Sequence, residues 1–160
     1  MRLILAGVGR LKAGPERDLF GRYLMRSQAI GRTLGFAPVE VMEIDEGKDR
    51  SAEQRRRSEA TLLIAKLPPD AVVTALDERG RALTSRDFAA HLKAVRDGGA
   101  AALALVVGGP DGFDPAFRAM AGLTFSFGAA TIPHQIVRVL LAEQVYRAMT
   151  IMAGHPYHRD

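Results

Sequence analysis

Ala101-Ala102-Leu103-Ala104-Leu105-Val106-Val107-Gly108-Gly109-Pro110-Asp111-Gly112 is the stretch on which the fold turns. Its first seven residues are apolar throughout. An antiparallel strand with one wet face alternates apolar and polar residues, whereas a central parallel strand is covered on both faces and does not. The glycine-proline turn that follows lets the backbone change direction sharply and approach a ligand closely. Residues 101–107 are therefore predicted to be the central strand of an α/β sheet, with a ligand loop at its C-terminal end.

The flanking sequence supports this reading. Residues 2–8 form a second apolar run ending at Gly7-Val8-Gly9. That G-x-G lacks the third glycine of the dinucleotide pattern and reads as a turn. Pro15 suits a first helical position, and Leu19, Phe20, Tyr23 and Leu24 make one apolar stripe ahead of stops at Gly31 or Gly35. Residues 39–44 are β-branched but carry Glu40 and Glu43, which places this strand near an edge. Ser51 and Gln54 make a capping box for a helix reaching Lys66. Pro68-Pro69 closes it, and residues 71–76 form a buried strand followed by a polar turn at 77–80. Thr84 and Asp87 open the next helix, which turns Phe88, Leu92 and Val95 inward and ends at Gly98-Gly99. Asp114-Pro115 caps a short helix. Residues 123–127 are the last strand, 128–132 a loop, and Pro133 opens a long helix to about Ala153. Its apolar residues are Ile136, Val137, Leu140, Leu141, Val145, Ala148, Met149 and Met152. The alternation of strand and helix predicts a mostly parallel sheet with helices on both faces, in a single domain over residues 1–160.

The 160 residues fit one hydrophobic core, and their 48% apolar and 25% charged content is that of a globular chain. No apolar run approaches the roughly 20 residues a membrane span needs. The opening apolar run is too short for a signal peptide, so a cytoplasmic location is expected, with no membrane partner. The absence of cysteine excludes disulfides, thiolate metal sites and a cysteine nucleophile. His91, His134, His155 and His158 lack zinc-ligand spacing, and no metal is expected. The net charge of +4 permits a polyanionic partner without requiring one. Arg55, Arg56 and Arg57 lie about 100° apart on a helix and cannot share one face. They read either as a solvated surface or as an arm touching RNA phosphates.

Open α/β sheets bind ligands outside the C-terminal ends of their strands. The loops after Leu76, Val107 and Phe127 should therefore meet. Asp77, Glu78 and Asp111 lie in these loops without a lysine, which argues against a phosphate cradle and for a cofactor lacking phosphate, of cationic character.

Gly108-Gly109-Pro110-Asp111-Gly112, Pro133-His134-Gln135-x-x-Arg138, Leu141-x-Glu143-Gln144-x-Tyr146-Arg147-Ala148 and His155-Pro156-Tyr157-His158-Arg159 stand in this order. Together they resemble the RlmH family of small SPOUT methyltransferases, and the likeness runs the full length. The resemblance implies methyl transfer from S-adenosylmethionine to N3 of a pseudouridine in 23S rRNA of the assembled ribosome. It further implies a homodimer with its site near the subunit interface, and a deep trefoil knot at the C-terminal side of the sheet. Its cofactor positions fall on Leu76, Gly108, Phe127, Gly128, Ala129, Ala130, Thr131 and Ile132. Gly128-Ala129-Ala130 is smaller than the family's usual residues, which leaves backbone contacts intact. Methylating a pyrimidine carbon usually requires a thiol, so a chain without cysteine independently favours a nitrogen or oxygen target. The candidate base is His158, with His155 second. Tyr157 is placed to stack on the target base. Arg159 and Arg138 are candidates to hold phosphate or the deprotonated base edge, with pairing of Arg138 to Glu143 or to a dimer partner as the alternative. His134 is read as a capping or packing residue.

Overall fold

The computed structural model describes residues 1–158. Five parallel strands, β1 (Arg2–Val8), β2 (Val39–Ile44), β3 (Val72–Ala82), β4 (Ala102–Val107) and β5 (Leu123–Ser126), lie in the order β2-β1-β4-β3-β5. Five helices join them: α1 (Pro15–Gly31), α2 (Ala52–Lys66), α3 (Ser85–Asp97), α4 (Pro115–Met120) and α5 (His134–Met152). The continuous apolar run is central, and the glutamate-bearing β2 is an edge, as their compositions require.

Side chains alternate across a strand, so β1 and β4 feed two cores. Leu3, Leu5, Leu103 and Leu105 face α1, α3 and α5, where they meet Phe20, Phe36, Phe88, Leu92, Leu141, Val145 and Met149. Ile4, Ala6, Val8, Ala104 and Val106 face α2 and α4, against Leu63, Phe113 and Phe117. Leu103 and Leu105 are both 0% exposed. Truncating either to alanine would cost about 2–5 kcal/mol through lost transfer energy and the cavity left behind.

Three of the five helix starts, those of α2, α3 and α4, follow their capping chemistry. Ser51 accepts from the Gln54 N–H. Thr84 and Asp87 form a reciprocal box, and Asp114 accepts from the Ala116 and Phe117 N–H groups. The segment expected to be a turn at residues 77–80 belongs instead to β3. The strand leaves its pairing with β5 at Leu76 and rejoins it at Arg81, with Phe125 opposite both. These residues are polar because they bow out of the core, not because the chain reverses. In α5 the buried residues are Arg138, Val139, Leu141, Ala142, Val145, Ala148, Met149 and Thr150. Ile136, expected on the apolar face, is 38% exposed. No helix among the described residues is long and apolar enough to cross a membrane.

Candidate functional site

The irregular part of β3 from Leu76 to Arg79 and the C-terminal ends of β4 and β5 open into one cavity of about 390 Å³, within the range of small-molecule sites. Its lining includes Leu76, Gly108, Phe127, Gly128, Ala130, Thr131 and Ile132, so the three segments singled out by the strand-end rule do converge, the first of them as an irregular part of β3 and not as a loop. Ala129 is exposed and does not line it. The lining also includes side chains not anticipated as site residues: Arg56, Arg79, Phe113, Arg118, Ser126 and Val137. Phe113 could have been foreseen from its place just after the glycine turn. The arginines come from separate elements; Arg56 was marked only as part of the arginine run, and Arg79 and Arg118 gave no local signal.

Backbone geometry shapes two of the walls. Ser126 Oγ donates to Gly128 O at 2.8 Å and accepts from Gly128 N at 2.9 Å, closing the start of the β5 loop on itself. Gly128 has φ 125°, a conformation that side chains disfavour. On the second wall, Gly112 N donates to Gly109 O at 3.0 Å and tightens the turn after β4.

The electrostatics differ from those expected of acidic loops. Asp111 receives Arg55 Nε at 2.6 Å and Nη2 at 3.1 Å, and this hydrogen-bonded guanidinium holds its carboxyl below the usual carboxylate range. Asp77 lies 3.5 Å from Arg118. Two of the three carboxylates are thus balanced by arginine, and the mouth carries both signs. His134 does not cap α5, whose start has no side-chain cap. It lines the cavity instead, 3.9 Å from Glu46.

Arg138 is corrected by its surroundings. It is 3% exposed, ion-paired with Glu43, and donates through Nη1 to Gly9 O at 3.0 Å. Glu43 also accepts from Leu11 N at 3.1 Å. The guanidinium joins the last helix to the ends of β1 and β2, and in this chain it is not available to a phosphate or a base edge. Its partner is Glu43, not Glu143. Glu143 accepts from Arg147 at 2.6 and 2.9 Å.

The tail, through His158, is folded against its own chain. His155 N donates to Thr150 O at 2.9 Å, and Tyr157 N donates to His155 Nδ1 at 3.1 Å. The Tyr157 ring meets Tyr146 edge-on at 4.7 Å, under the Arg147 guanidinium at 4.9 Å. Its hydroxyl donates to Glu143 at 3.0 Å and lies 3.4 Å from the Tyr23 hydroxyl. Burial, then the hydrogen bonds to Tyr23 and Glu143, push the Tyr157 phenol well above its ordinary value. His158 is half-buried. None of His155, Tyr157, His158 or Arg138 lines the cavity. Arg159 lies outside the described residues.

A family model described as "Predicted SPOUT methyltransferase" matches residues 1–158. The ribosomal RNA large subunit methyltransferase H of Xanthobacter autotrophicus is 56% identical over 159 residues, covering 99% of each chain. The protein of the same name from Methylocella silvestris is 52% identical over 160 residues, covering 100% of each. Among solved structures, the SpoU methyltransferase AviRb of Streptomyces viridochromogenes, crystallised with AdoMet, aligns with a TM-score of 0.41 and 15% identity. That alignment covers 96% of this chain and 61% of AviRb. With a family model matched over residues 1–158 and relatives more than half identical from end to end, the chain belongs to the SPOUT methyltransferase family.

Proposed function

We propose that this protein transfers a methyl group from S-adenosylmethionine to N3 of a pseudouridine in 23S rRNA of the assembled ribosome, acting in the cytoplasm as a homodimer. The carrying observation is the cavity lined together by β3 past Leu76 and the loops after β4 and β5, in a chain whose full-length relatives are named ribosomal RNA large subunit methyltransferases. The trefoil knot and the single-domain organisation over residues 1–160 belong to the same proposal.

The cavity fits the cofactor's chemistry. S-adenosylmethionine has no phosphate, and the lining has no lysine and no phosphate loop. Leu76, Gly108 and the 127–132 loop would hold the nucleoside through backbone groups and apolar contact. Arg56, Arg79 or Arg118 at the mouth supplies a partner for its carboxylate. When bound, the cofactor supplies an electrophilic methyl on a positively charged sulfur, and alignment of that methyl with the acceptor nitrogen is where much of the rate arises.

The protein's remaining tasks are to take up the N3 proton and to hold the base. His158, with His155 second, is assigned as the base, Tyr157 as the stacking surface and Arg159 as an anion contact. In one chain Tyr157 packs on α1 and α5, and neither it nor His155 or His158 lines the cavity. The proposal therefore places the tail of one subunit at the cavity of its partner, which makes the homodimer the working unit. Arg56, at the lip of the cavity, is the member of the arginine run suited to an RNA phosphate. Arg55 is engaged with Asp111.

The test is transfer of tritiated methyl from S-adenosylmethionine to assembled ribosomes from a strain lacking the modification. Labelling confined to 23S rRNA is expected, and cofactor binding without any transfer would overturn the reading. Mixing a tail-deleted subunit with one impaired at the cavity should restore activity if the site is shared between subunits.

A further inference from the structure

Helix α2 holds the glycine turn after β4 from outside the cavity. Arg55 grips both oxygens of Asp111, at 2.6 and 3.1 Å, while its Nη1 donates to Asp49 O at 3.0 Å. One helical turn later Glu59 lies on the same face. It is 4% exposed and accepts from Gly47 N at 2.8 Å. A Cβ placed on Gly109 would stand 3.1 Å from Glu59 Oε2 and 3.0 Å from Val8 Cγ1. The turn is thus clamped at Asp111 and backed at Gly109, and the same two side chains tie down the segment after β2. Gly109 and Asp111 line the cavity, whereas Arg55 and Glu59 do not.

We propose that Arg55 and Glu59 are positioning residues that fix the Gly109–Asp111 wall in the shape that accepts S-adenosylmethionine, a role that rests on the cavity being the cofactor site. A bidentate guanidinium–carboxylate pair sets direction as well as distance, which a lysine ammonium does not. Glu59 sets the depth of the same wall by filling the space behind Gly109. Neither residue touches the reacting atoms, so their effect falls on cofactor affinity and leaves the methyl-transfer step unchanged.

The experiment is calorimetric titration of S-adenosylmethionine onto the full-length protein and onto Arg55→Met, Arg55→Lys, Asp111→Asn and the Arg55→Met/Asp111→Asn double variant. Amide hydrogen exchange is followed on each without cofactor. Arg55→Met and Asp111→Asn should each weaken binding about tenfold, the scale of one charge-assisted hydrogen bond. The double variant should lose no more than either single one, because both remove the same contact. Arg55→Lys should recover part of the loss. In Arg55→Met, KM for the cofactor should rise with kcat unchanged, and exchange at Gly109 and Gly112 should quicken while β4 stays protected. Glu59→Ala should weaken binding, and Glu59→Gln, which keeps an acceptor for Gly47, should restore it. Unchanged affinity and unchanged exchange in Arg55→Met would overturn the proposal, as would losses that add in the double variant. If the unaltered protein fails to bind S-adenosylmethionine, the cofactor reading falls and the assignment to cofactor affinity falls with it. Faster exchange in Arg55→Met would then still report the clamp itself.

Discussion

The cavity and the C-terminal tail were both expected to carry function, and they are built by different means. Two loops and the bowed part of β3 form the cavity, so the order of a parallel sheet brings them together within one chain. The tail, through His158, is held mainly by side chains, with Tyr157 on Tyr146, Arg147 and Glu143. Nothing in the sheet directs it toward the strand ends, and it docks elsewhere. Topology assembles a binding site, whereas bringing chemistry to that site can require a second copy.

The contrast is broken most directly by removing the tail. Deleting residues 155–160 should reduce methyl transfer by at least about 10³-fold, within the span of general acid–base contributions. Cofactor affinity by calorimetry should stay within a factor of about two. A matching loss of affinity would mean that the tail also builds the cofactor site.

Arg138 comes next. Arg138→Ala leaves Glu43 without its buried partner and should lower urea-unfolding stability by about 3–5 kcal/mol. The surviving folded protein should bind cofactor normally. Normal stability with lost transfer would return Arg138 to the catalytic role that its burial argues against.

A smaller effect is expected at Gly128→Val. The side chain is strained at φ 125°, which costs of order 1–3 kcal/mol. Cofactor affinity should fall by about tenfold or more as the loop shifts, with the tail unaffected.

Tyr157→Phe should be the mildest, about 1 kcal/mol for its hydrogen bonds, and it carries a pH signature. The raised phenol means that the neutral form is favoured in the fold. Its contribution to stability is complete below the unfolded value of about 10 and is lost as pH rises through the higher folded value. An ultraviolet titration of the folded protein should contain a late-ionising tyrosine that Tyr157→Phe removes.

The sequence revealed regular structure well wherever one local cause dominated. The apolar run at 101–107 marked the sheet centre, Glu40 and Glu43 marked an edge, and Ser51, Thr84 and Asp114 marked helix starts. It failed where polarity had two possible causes. Residues 77–80 are polar because the strand bows away from β5 into the cavity wall, a pattern that also spells a turn. Arg138 is a charged residue on a buried helix face, and its partner Glu43 lies in the first third of the chain. No spacing rule links the two. The arginine run was correctly judged unable to form one face. Its division into a clamp at Arg55, a cavity lip at Arg56 and an exposed Arg57 depended on where the β4 loop lay.

The packing of α5 has a consequence for how the chain reaches this state. β1 is made first, yet the face carrying Leu3 and Leu5 is closed by Leu141, Val145 and Met149 of the last helix. The guanidinium that seals the turn after β1 also arrives with that helix, when Arg138 meets Gly9. Such distant closures make folding slow, because loop entropy is spent before the contacts form. A nascent chain therefore leaves this side of its central strands only partly covered, by α1 and α3, until translation is almost complete. Truncation ahead of α5 should yield an aggregation-prone fragment, not a smaller working domain.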